Sequence, residues 1–160
     1  MKPKQVLIPF LLISFILVLS TFIPMDFNPR AELHFTKMEI EFDGVNATAT
    51  IDYDVGFLTQ MYIFLFGNRN LDPCLEDFLF SYEELQIVSV NETTAEVRLI
   101  NSSRIVDSYA IHDKHPLGST VTTLIQIYPA VYPNPNKDIR TYTNMTYTNS
   151  SITPLSERQD

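Results

Sequence analysis

Cysteine occurs once in this chain of 160 residues, at Cys74, so no disulfide can form within it. A small exported domain without such a staple must rest on its apolar core. Glycine is nearly as scarce: Gly44, Gly56, Gly67 and Gly118 are scattered, and no glycine-rich strand-to-helix turn exists to cradle a phosphate or dinucleotide. No cofactor is expected on that ground. Basic residues are few, 11 against 19 acidic, and two of them, Lys2 and Lys4, precede a long apolar run. Behind that run 19 acids face nine bases, a balance that excludes phosphate-backbone binding and so nucleic acid as a partner.

What the chain does have begins with the run itself, "VLIPFLLISFILVLSTFIPM", twenty residues (6–25) without a charge. As a helix it would cover about 30 Å, the thickness of the hydrocarbon layer. Lys2 and Lys4 before it predict a cytoplasmic N-terminus, with everything after Met25 outside. The competing reading is a cleaved secretory signal; Val18 and Ser20 are small enough to flank a cleavage site, but no Ala-x-Ala pattern is present. No cysteine follows the run closely, which excludes anchoring through a lipidated cysteine there.

Five Asn-x-Ser/Thr acceptors support export independently. They start at Asn46, Asn91, Asn101, Asn144 and Asn149, where random placement would give roughly one or two. A composition merely rich in Ser, Thr and Asn is the bland alternative.

The expected organisation is an N-terminal membrane anchor over 1–25, a tether over 26–36, an extracellular α+β domain over 37–147 and a flexible tail over 148–160. Met38, Ile40 and Phe42 alternate with acids up to Asp43-Gly44, and Val45 to Val55 alternates again, which predicts a tight hairpin. "FLTQMYIFLF", 57–66, is apolar nearly all round and predicts a helix of about 15 Å, too short to span a bilayer. It reads first as a core helix under the sheet. The alternative is an interfacial or docking helix presenting Phe57, Leu58, Met61, Tyr62, Leu65 and Phe66. Asp72 as N-cap and Pro73 at the first helical position predict a second helix, with Leu75, Phe78, Leu79 and Tyr82 as its buried stripe. "LQIVSV" and "AEVRLI" predict two strands, 101–119 reads mostly as loop, and 121–129 and 138–145 predict a last antiparallel pair around a Pro/Asn-rich turn. The fold class expected is α+β: a mainly antiparallel sheet of hairpins, two short helices inserted after the first hairpin, and one transmembrane helix ahead of it all.

Chemistry has thin support. "IHDKH" brings His112, Asp113 and His115 together as a weak metal site whose third firm ligand, such as His34, would have to come from afar. Cys74 sits near a helix N-terminus, which favours thiolate, but Glu76 and Asp77 oppose it; a small apolar filler is the plainer role. Asp52 and Asp54 point the same way about 6.5 Å apart and could hold Ca²⁺ with help, though a solvated acidic face explains them as well. Ser, His and Asp are all present, but no Gly-x-Ser-x-Gly elbow marks a nucleophile.

With "ATATIDYDVGFLTQMYIFLFGNRNLDP" and "IHDKHPLGSTVTTLIQIYP" in place, the chain resembles small membrane-anchored envelope proteins of methanogenic archaea that have no assigned activity. The resemblance spans roughly 47–129. It implies an N-terminal helix, an outward α+β domain and surface glycosylation, and transfers no functional residue. The functional expectation is a membrane-anchored extracytoplasmic glycoprotein of the cell envelope, a non-catalytic interaction or structural module that meets an envelope protein partner. The alternatives are an extracellular hydrolase or metal-dependent enzyme on the His112/Asp113/His115 loop, and a divalent-ion or solute-binding domain.

Overall fold

Alternation of apolar and polar residues builds the frame. β1 (Leu33–Asp43) and β2 (Asn46–Val55) pair antiparallel from Leu33–Val55 to Asp43–Asn46. The two residues between them close the turn, and Gly44 alone adopts a positive φ, 62°. Positive φ at the first central position is the type II′ arrangement, which glycine reaches without strain. The computed structural model describes residues 13–14, 32–128 and 138–154. The expected membrane anchor, except Ile13 and Ser14, lies outside the described residues, as do the tether residues 26–31 and the Pro/Asn-rich turn 129–137. Among the described residues no helix is long and apolar enough to cross a membrane.

The molecule is α+β, mostly antiparallel, with two short helices after the first hairpin. α1 (Phe57–Phe66) follows β2, a 3-10 turn covers Asn68–Leu71, and α2 (Asp72–Phe78) follows at once. β3 (Glu84–Val90) and β4 (Thr94–Ile100) form a hairpin, β5 (Ser103–Val106) and β6 (Tyr109–His112) a second, and β7 (Pro116–Tyr128), β8 (Asp138–Tyr147) and β9 (Ser151–Pro154) complete the strands. Six of them form one sheet in the order β3-β4-β2-β1-β7-β8, and β5-β6-β9 form a smaller one.

β7 pairs antiparallel with β8 as expected, from Val121–Met145 to Tyr128–Asp138, and also joins β1 in parallel, from Lys37–Thr123 to Glu41–Ile127, a pairing the sequence reading did not include. Three local expectations are corrected. Residues 101–119 hold two strands and the start of β7, because Asn101 and Asp107 take positive φ, 51° and 55°, and turn the chain sharply. Both residue types tolerate that region better than most. Tail residues Ser151–Pro154 form β9 against β6, from Tyr109–Pro154 to His112–Ser151. The Gln126 side chain, fully buried, donates to the Asn149 carbonyl (3.3 Å) and accepts from the Tyr128 hydroxyl (2.9 Å), which ties this return to the core. Finally, Asp72 is no N-cap: the 3-10 turn runs straight into α2, so Asp72 is already helical at φ −51°, ψ −48°. An N-cap needs extended backbone to aim its side chain at the first free N–H groups.

The core lies on one face of the large sheet. Met38, Ile40, Phe42, Ala49, Ile51, Tyr53, Val97, Leu99 and Leu124 project there and meet Leu71, Leu75, Phe78 and Leu79. The small sheet covers the same face farther along, where Phe42 stacks on His112 (centroids 3.8 Å apart) and on Tyr128 (5.5 Å). The opposite face carries Lys37, Glu39, Thr48, Thr50, Asp52, Glu96 and Arg98, partly or fully open to solvent. One packed and one wet face is the ordinary state of an antiparallel sheet.

Candidate functional site

α1 forms because ten residues between Gly56 and Gly67 lack proline and contain a single β-branched apolar residue, Ile63. Its packing is one-sided in an unexpected sense. Thr59 and Ile63, one turn apart, are buried; Phe57 and Phe64 are 72% and 89% exposed, Leu65 is exposed, and Leu58, Met61 and Tyr62 are half-buried. Positions 57, 61, 64 and 65 share a helical stripe, so an apolar ridge faces outward. The side chain of Phe66 lies outside the described residues. The reading of this segment as a core helix is therefore overturned: α1 lies on the domain, not in it.

Its root is fixed by one acid. The Glu32 carbonyl accepts the Gly56 N–H (3.0 Å), and its carboxylate accepts the Thr59 N–H (3.2 Å) and hydroxyl (3.3 Å). An acceptor anion at the first turn suits the positive end of the helix dipole. No local sequence signal marks this contact, since Glu32 and Thr59 are 27 residues apart. Two shallow grooves flank the ridge. One, of about 290 Å³, lies between Val55, Gln60, Ile63, Phe64, Glu92 and Thr93; the other, about 220 Å³, runs along Phe57, Gln60, Met61, Phe64 and Leu65.

The IHDKH loop divides. His112 ends β6 and points inward, 1% exposed; its Nδ1 meets the Ser103 hydroxyl in a short contact and its Nε2 meets the Thr153 hydroxyl at 3.0 Å. Burial holds its pKa down to about 4, with Asp113 opposing. Asp113 faces outward to Arg104 (3.4 Å). His115 stacks on Tyr82, centroids 4.2 Å apart, with Nδ1 3.3 Å from the Ser81 carbonyl oxygen. His112 is held inward as the last residue of β6, and the chain leaves the strand at Asp113, so the two side chains part. Among the described residues no three His, Cys, Asp or Glu side chains are grouped as a metal would require. His34 is exposed on β1 opposite Asp54.

A Ser–His contact is the smallest unit of nucleophilic catalysis, and Ser103–His112 lacks the rest of one. The second ring nitrogen meets a hydroxyl where an orienting carboxylate would serve, and Phe42 covers the ring. Ser103, His112 and Thr153 instead fasten β5, β6 and β9 together under Phe42 and Tyr128. Sequence reading did not single out Ser103 or Thr153, and only strand pairing brings them to the imidazole. Cys74 is buried in the core cluster. Asp52 accepts from the Thr94 hydroxyl (3.3 Å) and lies opposite Lys37 across the β1–β2 pair, while Asp54 is exposed farther along.

Of the acceptor asparagines, Asn46, Asn91, Asn101 and Asn144 are exposed and Asn149 is half-buried. Asn46 and Asn101 meet at one end of the large sheet, where the Asn46 side-chain oxygen accepts the Asn101 N–H (3.1 Å). A sugar bonded to the Asn46 side-chain nitrogen leaves that oxygen free to accept. Asn91 is at the other end, beside α1: its carbonyl accepts the Tyr53 hydroxyl (2.6 Å), and the neighbouring Glu92 and Thr93 line the larger groove. Comparison with known proteins adds no relative, since no family profile, curated protein or solved structure matches the chain.

Proposed function

We propose that the chain is a membrane-anchored extracytoplasmic glycoprotein of the cell envelope that works as a non-catalytic interaction or structural module. In this reading residues 6–25 form a single-pass anchor with the N-terminus cytoplasmic, and the acidic α+β domain stands outside. The observation that carries it is the ridge of Phe57, Met61, Phe64 and Leu65 on α1, rooted on Glu32. A soluble domain gains nothing from an exposed phenylalanine ridge, whereas a tethered one can use it to dock. The open sheet face and the edge strands β3 and β8 would be left for an envelope protein partner.

The hydrolase and metal-enzyme alternative draws less on the geometry: His112 is engaged at both nitrogens, and His115 and Asp113 have other partners. Ion binding at Asp52 and Asp54 has Lys37 against it. Fractionation of cells making the full chain tests the proposal. The expected product stays in the membrane pellet through alkaline extraction, is cleaved by protease added outside intact cells, and exceeds 18.4 kDa by a sugar-dependent increment. A soluble, protease-shielded product with unmodified asparagines would sink it.

A further inference from the structure

We infer that the outward ridge of α1 lies in the outer leaflet of the same membrane that holds the anchor, as a second, in-plane contact that sets the tilt of the domain. This rests on the anchored reading above, because the anchor fixes where α1 can be.

The first argument is reach. Between Met25, the end of the apolar run, and Glu32 stand six residues, 26–31. Fully extended, the seven steps from Met25 to Glu32 span about 25 Å. Glu32 is bonded to Gly56 and Thr59 in the first turn of α1, so the base of the helix cannot be farther than that from the point where the run leaves the hydrocarbon. The second is composition. α1 carries no charged residue, and its outward positions are Phe57, Gln60, Met61, Phe64 and Leu65, with Tyr62 partly exposed beside them. Aromatic and aliphatic side chains of this kind settle at the boundary between headgroups and acyl chains. An acidic domain receives no help from an anionic leaflet, so the contact is apolar insertion rather than electrostatic attraction.

Area argues against the rival occupants. Phe57 and Phe64, 72% and 89% exposed, leave on the order of 300 Å² of accessible aromatic surface open, and Met61, half-buried, and Leu65, 36% exposed, add less than they do. A stable protein interface takes about 800 Å² from each partner. A second copy or another protein would therefore need much more than this ridge, whereas lipid requires no matching surface. β1 begins, β2 ends and the β3–β4 turn lies at the α1 end of the sheet, so that Asn91 would sit at the bilayer surface, while Asn46 and Asn101 lie at the opposite end, which then points away from the bilayer.

The sequence contains no tryptophan, so one introduced tryptophan reports one place. Three full-length variants, Phe15→Trp in the run, Phe64→Trp on α1 and Tyr109→Trp on the small sheet, are reconstituted into phosphatidylcholine vesicles with or without acyl chains brominated near the headgroup. We expect bromination to reduce emission at least twofold for Phe64→Trp and to leave Tyr109→Trp unchanged. An unquenched Phe64→Trp protein that aqueous acrylamide quenches freely would overturn the inference, since the ridge would be bare. One shielded from both quenchers would overturn it too, since protein would cover the ridge. Chains brominated at the bilayer centre test the anchor separately through Phe15→Trp. If that variant is unquenched, the anchored reading fails; quenching of Phe64→Trp by chains brominated near the headgroup would still uphold the α1 contact.

Discussion

α1 and α2 are consecutive short helices that meet solvent in opposite ways. α1 is uncharged over ten residues, yet its largest side chains point outward; α2 carries Asp72, Glu76 and Asp77 in seven residues, yet Cys74, Leu75 and Phe78 are buried. Average hydropathy ranks the two helices in the wrong order for burial. What decides it is where each helix docks. The last residues of α2 lie against Gly118, where an added Cβ would come within 2.4 Å of the Asp77 carbonyl oxygen, and Phe78 stacks on Phe35 with centroids 4.0 Å apart. α1 leaves from the end of β2 beyond the sheet's inner face, and touches the domain mainly through Thr59 and Ile63. A greasy helix at the margin of a core remains greasy on the outside.

The contrast has measurable consequences for unfolding of the full chain in detergent. Phe78→Ala should cost most, about 3–5 kcal/mol, because it empties a buried aromatic site; urea titration would read this, and a loss under about 1 kcal/mol would mean that α2 is no part of the core. Acidification comes next. His112 is held near pKa 4 in the fold against 6.5 when unfolded, so the unfolded chain takes up the proton first as pH falls. Its contribution is complete above about pH 6.5 and declines toward pH 4, by on the order of 3 kcal/mol. His112→Asn should flatten the urea midpoint over that window, and an unaltered slope would assign the effect to other groups. The α1 ridge, which lacks any group titrating there, should not respond.

Gly118→Ala should follow at about 1–3 kcal/mol, since backbone of α2 has to retreat from the new methyl; a neutral result would show that α2 docks loosely. Phe64→Ala should be smallest, within about 0.5 kcal/mol in detergent, as expected for an exposed position. A loss of 2 kcal/mol or more there would place Phe64 in the core and cancel the difference between the helices.

Some of this was legible in the residues. Alternation located β1, β2, β3 and β4, and the bounds of α1 follow from its flanking glycines. Leu75 and Phe78 were readable as a buried face because helical spacing reports a face directly; Leu79 and Tyr82 are buried too, but in the turn beyond the end of α2 rather than on a helical stripe. The parallel β1–β7 pair was not readable, since alternation shows which residues share a face but not which strand lies alongside. β9 was hidden in a polar stretch, because its stability comes from pairing with β6 rather than from apolar side chains of its own. In the IHDKH stretch, closeness along the chain suggested a shared site, but His112 is fixed inward at the end of β6 while Asp113 and His115 lie in the loop before β7 and find separate partners.

By itself, then, the sequence determined the α+β composition, the type of the early elements with the bounds of α1 (β1 starts at Leu33, inside the stretch read as tether), and the exclusion of disulfides and phosphate loops. These depend on local backbone preference and on the presence or absence of residue types. Tertiary structure alone decided that His112 is a sealed joint and that α1 faces outward. Both depend on which distant segments arrive beside a residue: Ser103, Thr153 and Phe42 enclose the imidazole, while nothing among the described residues covers Phe64.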